Sequence, residues 1–322
     1  MNLPQDGVLK GVLAGLSLLL FFICFPLIGN IKLPNIYFVI VLAVILLSQL
    51  IYLLNIPILK NIFDSIYPIT IDRYSIGHMQ DSINTSNMFG FRMGGLYHNP
   101  NDCARSLTML LATYLIVNYT KRLKQLLPFV LVSFYAILMT GSRTGFAIAS
   151  ILIIAYLFVN KKISSIWRFI VVVIFMGVFV YLLLSGSNQF RGFNVVQGFS
   201  NSADSKFDVF VYYISSEDSI IRFLFGYLDN SRFRSSGILM DYFDSDYGNI
   251  VFCYGFVGFF SILIYFYFLS KKMNNYGKIF FVLLLWMISN SIISSFRAGF
   301  LFMFLLSIVY HRTKLMDSNS SV

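Results

Sequence analysis

Long apolar runs recur along the whole chain, and they constrain its fold more than any other feature. A helix that crosses a bilayer needs about 20 consecutive apolar residues, and such runs follow one another between short polar segments. Charged residues make up only 12% of the sequence, against roughly 25% in soluble domains. The pattern predicts an all-α polytopic membrane protein, a single integral membrane domain over residues 1–322. About nine helices are expected, near 8–29, 35–54, 102–118, 125–140, 144–159, 166–185, 248–269, 279–296 and 298–311.

The basic residues of the short polar segments set the predicted orientation. Lys and Arg collect in segments 30–35, 119–124, 160–168, 270–279 and 311–322. Because an excess of Lys and Arg marks the cytoplasmic side of a membrane protein, these segments are predicted to be cytoplasmic. The amino terminus is then external, although a missing amino-terminal helix would explain its charge pattern equally well.

Two long segments lie on the predicted outer side, at about 55–101 and about 186–247. Both are polar and aromatic, and long loops in compact proteins are usually functional or disordered. The second segment contains apolar stretches at Phe207–Ile214 and Ile220–Leu228, which predict short helices at the membrane interface. We therefore expect this large loop to form a structured external cap.

The arginines are concentrated on the outer side. Nine of the twelve Arg residues fall there, whereas nine of the twelve Lys residues fall on the cytoplasmic side. Topology gives no reason for arginines outside, but the guanidinium fork is well suited to holding phosphate. The distribution predicts an anionic, phosphorylated ligand at the outer leaflet. For each loop arginine alone, a solvated surface charge or a lipid contact is the simpler interpretation.

Two apolar runs are each interrupted by a turn that carries an arginine. The runs are Leu126–Val159, with Arg143 at its turn, and Lys278–His311, with Arg297 at its turn. Each run is too short for two full spans of about 20 residues and a turn, so both turns are predicted to lie below the outer membrane surface. Arginine at such depth is costly and is typical of a functional site. The alternative is that these arginines reach to head groups or bind helix carbonyls.

Three short motifs occur in order along the chain. They are Phe91-Arg92-Met93-Gly94-Gly95-Leu96-Tyr97-His98-Asn99-Pro100-Asn101, then Thr140-Gly141-Ser142-Arg143-Thr144-Gly145, and then Asp244-Ser245-Asp246-Tyr247-Gly248-Asn249. In this order and membrane placement, they resemble the O-antigen ligase/polymerase superfamily of bacterial inner-membrane proteins. The third motif is similar to the segment after the large periplasmic loop in the polymerase branch.

The resemblance implies a metal-independent glycosyltransferase with a GT-C-like fold, without a cofactor, whose active site faces the periplasm. Its substrates would be glycans linked to undecaprenyl pyrophosphate. A polymerase moves the growing chain onto a lipid-linked repeat unit. Membrane lipids and a chain-length regulator protein are further expected partners. By motif match, Arg92 and Arg143 would hold the pyrophosphate. By position only, the further candidates are Arg222, Arg232, Arg234 and Arg297.

The acceptor hydroxyl must lose a proton, so a base is also expected. Asp246 is the first candidate, with Asp241 and Asp244 behind it, and its alternative role is to cap the helix that begins near Gly248. His98 is the second candidate, although it could simply bond within its own turn. Asn99 and Asn101 are candidates for binding sugar hydroxyls, and Asn101 could instead cap the helix that follows it.

Two other functions compete with a polymerase. Ligases of this superfamily carry a catalytic His in the large periplasmic loop, whereas segment 186–247 contains no His. A lipid-linked oligosaccharide flippase, as a transporter, should carry charges inside many helices, whereas the polar residues here gather at the outer face. Nucleic-acid binding is excluded because the net charge of +10 is divided between topology signals and outer arginines.

Overall fold

A computed structural model shows a protein built from helices. It describes residues 33–54, 56–66, 93–97, 100–160, 163–166, 168–170, 172–173, 177, 220–226, 246–289, 292 and 296–320. Within these residues the chain is mostly helical and forms no strand. The chain divides into two compact units: unit I is Lys32–Phe199, and unit II is Met1–Ile31 together with Ser200–Val322.

Unit I is a helical bundle around one central helix. Its helices are α1 Asn35–Leu53, α2 Pro57–Ile66, α3 Pro100–Val117, α4 Leu123–Met139 and α5 Arg143–Val159. Helix α3 packs against α1, α4 and α5, and its side chains are buried almost continuously from Cys103 to Ile116. Tyr114 of α3 stacks on Phe129 of α4, with ring centroids 3.8 Å apart. This buried aromatic pair fixes the two helices against each other.

Proline and serine define where the helices of unit I begin. Helices α2 and α3 both start at a proline, which suits the first helical position because its missing N–H would have had no partner there. Ser142 precedes α5, and its hydroxyl accepts the Gly145 N–H. This is the usual N-cap interaction of serine.

Unit II contains a long, interrupted helix, then a segment of short α and 3₁₀ turns, and finally a second long helix. Its elements are α6 Ile220–Phe225, α7 Asp246–Lys271, α8 Asn275–Ile279, a 3₁₀ segment Phe280–Leu285, α9 Trp286–Ser289 and α10 Phe296–Ser320. Trp286, Phe280 and Phe302 are fully buried, and the rings of Phe280 and Phe302 lie 5.3 Å apart. The core of unit II therefore lies between α10 and the segment from α8 to α9.

The structure confirms the predicted all-helical class, and some helices differ from the bounds predicted for them. The helix expected at 279–296 is instead a succession of α, 3₁₀ and α turns that ends at Ser289. Helix α2 lies within the outer segment 55–101, where no helix was predicted, because ten amphipathic residues are too few for a span. The short helix α6 agrees with the apolar stretch from Ile220. The stretch at 207–214 and the helix at 8–29 lie outside the described residues.

One helix of the described residues is long and apolar enough by itself to cross a membrane, Cys253–Lys271. Four shorter apolar helices accompany it, at Asn35–Ile51, Leu123–Met139, Thr144–Val159 and Asn275–Ile288. The arrangement with nine spans therefore stays a prediction.

Helix α7 is interrupted at Gly255, although the sequence predicted one continuous helix there. Gly255 has φ 65° and ψ −171°, a conformation that only glycine adopts readily. A Cβ at Gly255 would overlap the backbone of Leu224 and Phe225. Gly226, with φ 75°, lies equally close to the backbone of α7. A Cβ added to Gly226 would lie 2.6 Å from the carbonyl oxygen of Cys253. The two glycines thus let the end of α6 pack backbone to backbone on the break in α7.

We expect Gly255→Ala to destabilise unit II strongly. The substitution forces a non-glycine residue into a conformation that costs about 1–3 kcal/mol and also drives a methyl group into the Leu224 backbone. Gly177→Ala is the matched control, because a Cβ at this position meets nothing within 4 Å. Thermal unfolding of the purified protein in detergent would measure both. Equal midpoints for the two variants would contradict the glycine contact.

Candidate functional site

The turn at Gly94–Gly95 is buried between helices. Met93 and both glycines are inaccessible, and Gly95 has φ 59°. The Leu96 N–H donates to Ser48 Oγ at 3.1 Å, and a Cβ at Gly95 would overlap that same hydroxyl. Glycine is therefore required here both by the backbone conformation and by the close approach of α1.

The Gln49 side chain ties this turn to two helices. It is fully buried in α1, and its Nε2 donates to the Met93 carbonyl at 3.1 Å and to the Ala136 carbonyl at 3.0 Å. A buried polar group without partners costs free energy; the Nε2 group joins two carbonyl groups that would otherwise be unpaired, whereas the buried Oε1 has no partner. Gln49 thereby fixes the first motif relative to α1 and α4.

The carboxyl end of α4 is capped completely. The last four carbonyl groups of a helix have no partner within it. Here Ala136 O accepts from Gln49, Ile137 O from Thr140, Leu138 O from Gly141 N at 2.9 Å, and Met139 O from Met93 N at 3.0 Å. Two of these four partners come from other parts of unit I. The turn can therefore lie inside the protein, and Thr140 and Ser142 are indeed buried.

The same turn leads directly into α5, whose first residue is Arg143. Gly145, in the first turn of α5, lies against α3: a Cβ there would be 2.7 Å from the Cβ of Ala104. Since Ala104 is in the first turns of α3, the amino-terminal ends of α3 and α5 lie side by side. Both helix ends carry a partial positive charge. The first two sequence motifs thus meet in one place.

An ion pair at the start of α3 was not among the site residues predicted from the sequence. Arg105 Nη2 lies 2.7 Å from Asp102 Oδ1, and the side chains are 6% and 40% exposed. Burial raises the pKa of the nearby Tyr97 phenol, and its hydrogen bond with the Ser106 side chain acts in the opposite direction. The signal in the sequence was an acid and an arginine three residues apart at the start of a helix, which share a helix face.

Unit II brings the third motif to the second arginine-bearing turn. Asp246 is 0% exposed, and its Oδ2 accepts the N–H of Ile292, which lies in the turn between α9 and α10. The Tyr247 hydroxyl donates to the Leu284 carbonyl at 3.4 Å. The start of α7 is thereby bound to Ile292, which lies between α9 and α10 in the sequence, and Arg297 is the second residue of α10.

The helix bounds change two interpretations of single residues. Helix α7 begins at Asp246 itself, so Asp246 is the first helical residue and does not cap a helix starting at Gly248. Helix α3 begins at Pro100, so Asn101 lies inside that helix and is not its N-cap. The carboxylate of Asp246 instead binds a backbone group in a different turn.

The remaining predicted site residues are placed only in part. The backbones of Arg143, Arg222 and Arg297 lie in α5, α6 and α10. Arg143 belongs to unit I, whereas Arg222, Arg297 and Asp246 belong to unit II. The candidates outside the described residues are Arg92, His98, Asn99, Arg232, Arg234, Asp241 and Asp244. Within the described residues, no group of three or more His, Cys, Asp or Glu side chains could hold a metal ion.

We expect Gln49→Leu to destabilise unit I by about 1–3 kcal/mol, because it leaves two buried carbonyl groups unpaired. Gln125→Leu is the control: its side chain is exposed and accepts only a 3.3 Å bond from the Arg122 N–H. Thermal unfolding in detergent compares the two variants. A Gln49 variant as stable as the Gln125 variant would show that the buried amide is not needed to hold the turn.

Comparison with known proteins gives no match: no protein-family model, no curated protein and no solved structure is similar to the chain.

Proposed function

We propose that the protein is a multi-pass polysaccharide (O-antigen) polymerase of the bacterial inner membrane. It transfers a growing glycan from undecaprenyl pyrophosphate onto a lipid-linked repeat unit at the periplasmic face. The observation that carries the proposal is the meeting of the first two motifs in unit I. These motifs are about 40 residues apart in the sequence, yet Met93 binds the end of α4 and Gly145 contacts the start of α3.

The surface of the helices supports a membrane location. Only 17% of the apolar segment Cys253–Lys271 is buried within the protein, whereas a core helix of a soluble protein would be buried on most sides. Phe260 and Phe268 are 53% and 57% exposed. Helix α1 also exposes a row of apolar side chains, namely Ile36, Val39, Ile40, Val44 and Leu47. Apolar faces of this extent are typical of contact with lipid or with another protein.

The chemistry required is the displacement of a pyrophosphate from the anomeric carbon of the donor sugar by an acceptor hydroxyl. Negative charge develops on the leaving group, and fixed positive groups directed at it lower the barrier. In the proposal, Arg143 and Arg92 hold the pyrophosphate beside the paired starts of α3 and α5. The further candidate cations are Arg222, Arg232, Arg234 and Arg297, and the candidates for contact with the glycan are Asn99, Asn101 and His98. Oriented arginine forks also hold the donor for in-line attack.

Two carboxylates are candidates for the base that removes the proton from the acceptor hydroxyl. Asp246 is the candidate from the motif, with one oxygen bound to the Ile292 N–H. Asp102 is the second candidate, favoured because its side chain is 40% exposed next to the two motifs of unit I. Its pairing with Arg105 keeps one carboxylate oxygen fixed and leaves the other available to a hydroxyl.

The polymerase proposal predicts the glycan pattern of a strain deleted for the gene. We expect surface lipopolysaccharide or capsule with a single repeat unit, and a ladder restored by the wild-type gene. Arg143→Ala should reduce polymer formation about 10²–10³-fold, as expected for losing one preorganised charge. Arg143→Lys should fail almost as severely, because lysine is a point charge without the planar fork.

The control for this experiment is Arg122→Ala, which removes an exposed arginine from the Lys-rich side and should restore the ladder. Bare core with accumulated lipid-linked polymer would instead indicate a ligase, and bare core without polymer a flippase. An unchanged ladder in the deletion strain would exclude all three functions in that glycan pathway.

The identity of the base is tested by Asp246→Asn and Asp102→Asn. Each variant keeps an oxygen that accepts the bond to Ile292 or Arg105, but the amide cannot accept the proton. Loss of the base should lower polymer formation about 10²–10⁴-fold at unchanged protein level on an immunoblot. We expect this for Asp246→Asn. The same loss in Asp102→Asn alone would move the assignment to Asp102, and full activity of both would exclude both carboxylates.

A further inference from the structure

The Lys-rich end of unit II gathers cations from two parts of the chain. Asn274 lies in the turn after α7, and its Nδ2 donates to the Thr313 carbonyl at 3.4 Å. A Cβ at Gly277 would lie 3.1 Å from Thr313 Cγ2. The turn after α7 is therefore in contact with α10 at Thr313. The basic residues next to these contact points are Lys271, Lys272, Lys278, Arg312 and Lys314.

The basic residues of this cluster outnumber the acids near them in the sequence. The stretches 267–280 and 305–314 contain no Asp or Glu, and the first acid beyond them is Asp317, three residues after Lys314. The four lysines are exposed, and Arg312 is half-buried. The Nε of Arg312 and the Nε2 of His311 are buried atoms without a hydrogen-bond partner. A buried donor without a protein partner is a place where an anion or water is expected.

The cluster also lies at the edge of an apolar band. Phe268 and Tyr267, one turn before the lysines, are 57% and 55% exposed. Lys271 Nζ lies 4.7 Å from the centre of the Tyr267 ring. Aromatic rings followed by lysine mark the depth of the head groups in membrane proteins. The cations are therefore in position to meet lipid phosphates.

We propose that this cluster binds the phosphate head group of an anionic phospholipid in the cytoplasmic leaflet. Basic pockets between helices on this side of a membrane bind such head groups. Arg312 supplies charge from α10 and Lys272 from the turn after α7, and Tyr267 and Phe268 contact the acyl chains. The site is formed by residues of the Lys-rich segments and does not include the arginines assigned to the pyrophosphate. It rests on the membrane location proposed above.

The test uses the full-length protein purified in a neutral maltoside detergent. Native mass spectrometry would measure the occupancy of phosphatidylglycerol and phosphatidylcholine added in equal amounts. We expect preferential binding of phosphatidylglycerol by the wild type. Lys272→Gln with Arg312→Gln should weaken this binding about fivefold for each cation removed, the effect expected of one basic residue near anionic lipid. Lys272→Gln alone tests the site without changing the half-buried arginine.

The matched control is Arg122→Gln with Lys124→Gln, which removes the same charge from two exposed positions of unit I. Binding should change less than twofold there. An equal loss in both double variants would show nonspecific attraction by net charge and would overturn the site. Displacement of the lipid by millimolar inorganic phosphate would identify a site for free anions and overturn the lipid assignment.

Membrane location is measured separately by alkaline carbonate extraction of cell membranes. Release of the protein into the carbonate supernatant would overturn both the membrane location and the lipid site. Retention in the membrane, combined with equal binding of the two lipids, would overturn the lipid site alone.

Discussion

The arrangement of unit I depends on the need to pair four carbonyl groups at the end of α4. In a solvent-exposed turn these carbonyl groups would accept hydrogen bonds from water. Thr140 and Ser142 are buried, so the carbonyl groups need donors from the protein. Gln49 and the Met93 N–H supply two of the missing donors. This requirement brings α1 and the Gly94–Gly95 turn to the same place as the turn before Arg143. In a bilayer the requirement would be stricter still, because lipid offers no hydrogen bonds.

The two arginine-bearing turns are bound by different groups. The turn before Arg143 is held by neutral groups: the Gln49 amide of α1, the Met93 N–H and the Thr140 hydroxyl of the turn itself. The turn before Arg297 is held by a carboxylate, Asp246. A buried carboxylate is stabilised by the N–H groups that it accepts and also brings a negative charge close to α10. The electrostatic environments of the two turns therefore differ.

The sequence predicted the helices well because their signal is local. Apolar length and basic flanks placed α1, α3, α4, α5 and α7 within about two residues, whereas α10 continues to Ser320, beyond the end predicted at 311. The break at Gly255 could not be predicted, since it results from contact with Gly226, 29 residues earlier in the chain. Gln49 was missed for a related reason: a single polar residue in an apolar helix does not reveal its distant partners. Arg105 was overlooked because its predicted position was inside a span.

The contact between Gly226 and Gly255 has a consequence for how this chain can vary. It closes the residues between the two glycines into a loop whose ends are held at a fixed separation by backbone contact. The entropy of closing such a loop rises slowly with its length, by about 0.6 kcal/mol for each doubling. A change in the number of residues that join positions 226 and 246 therefore alters the closure entropy by less than about 0.6 kcal/mol unless it doubles the length of the loop.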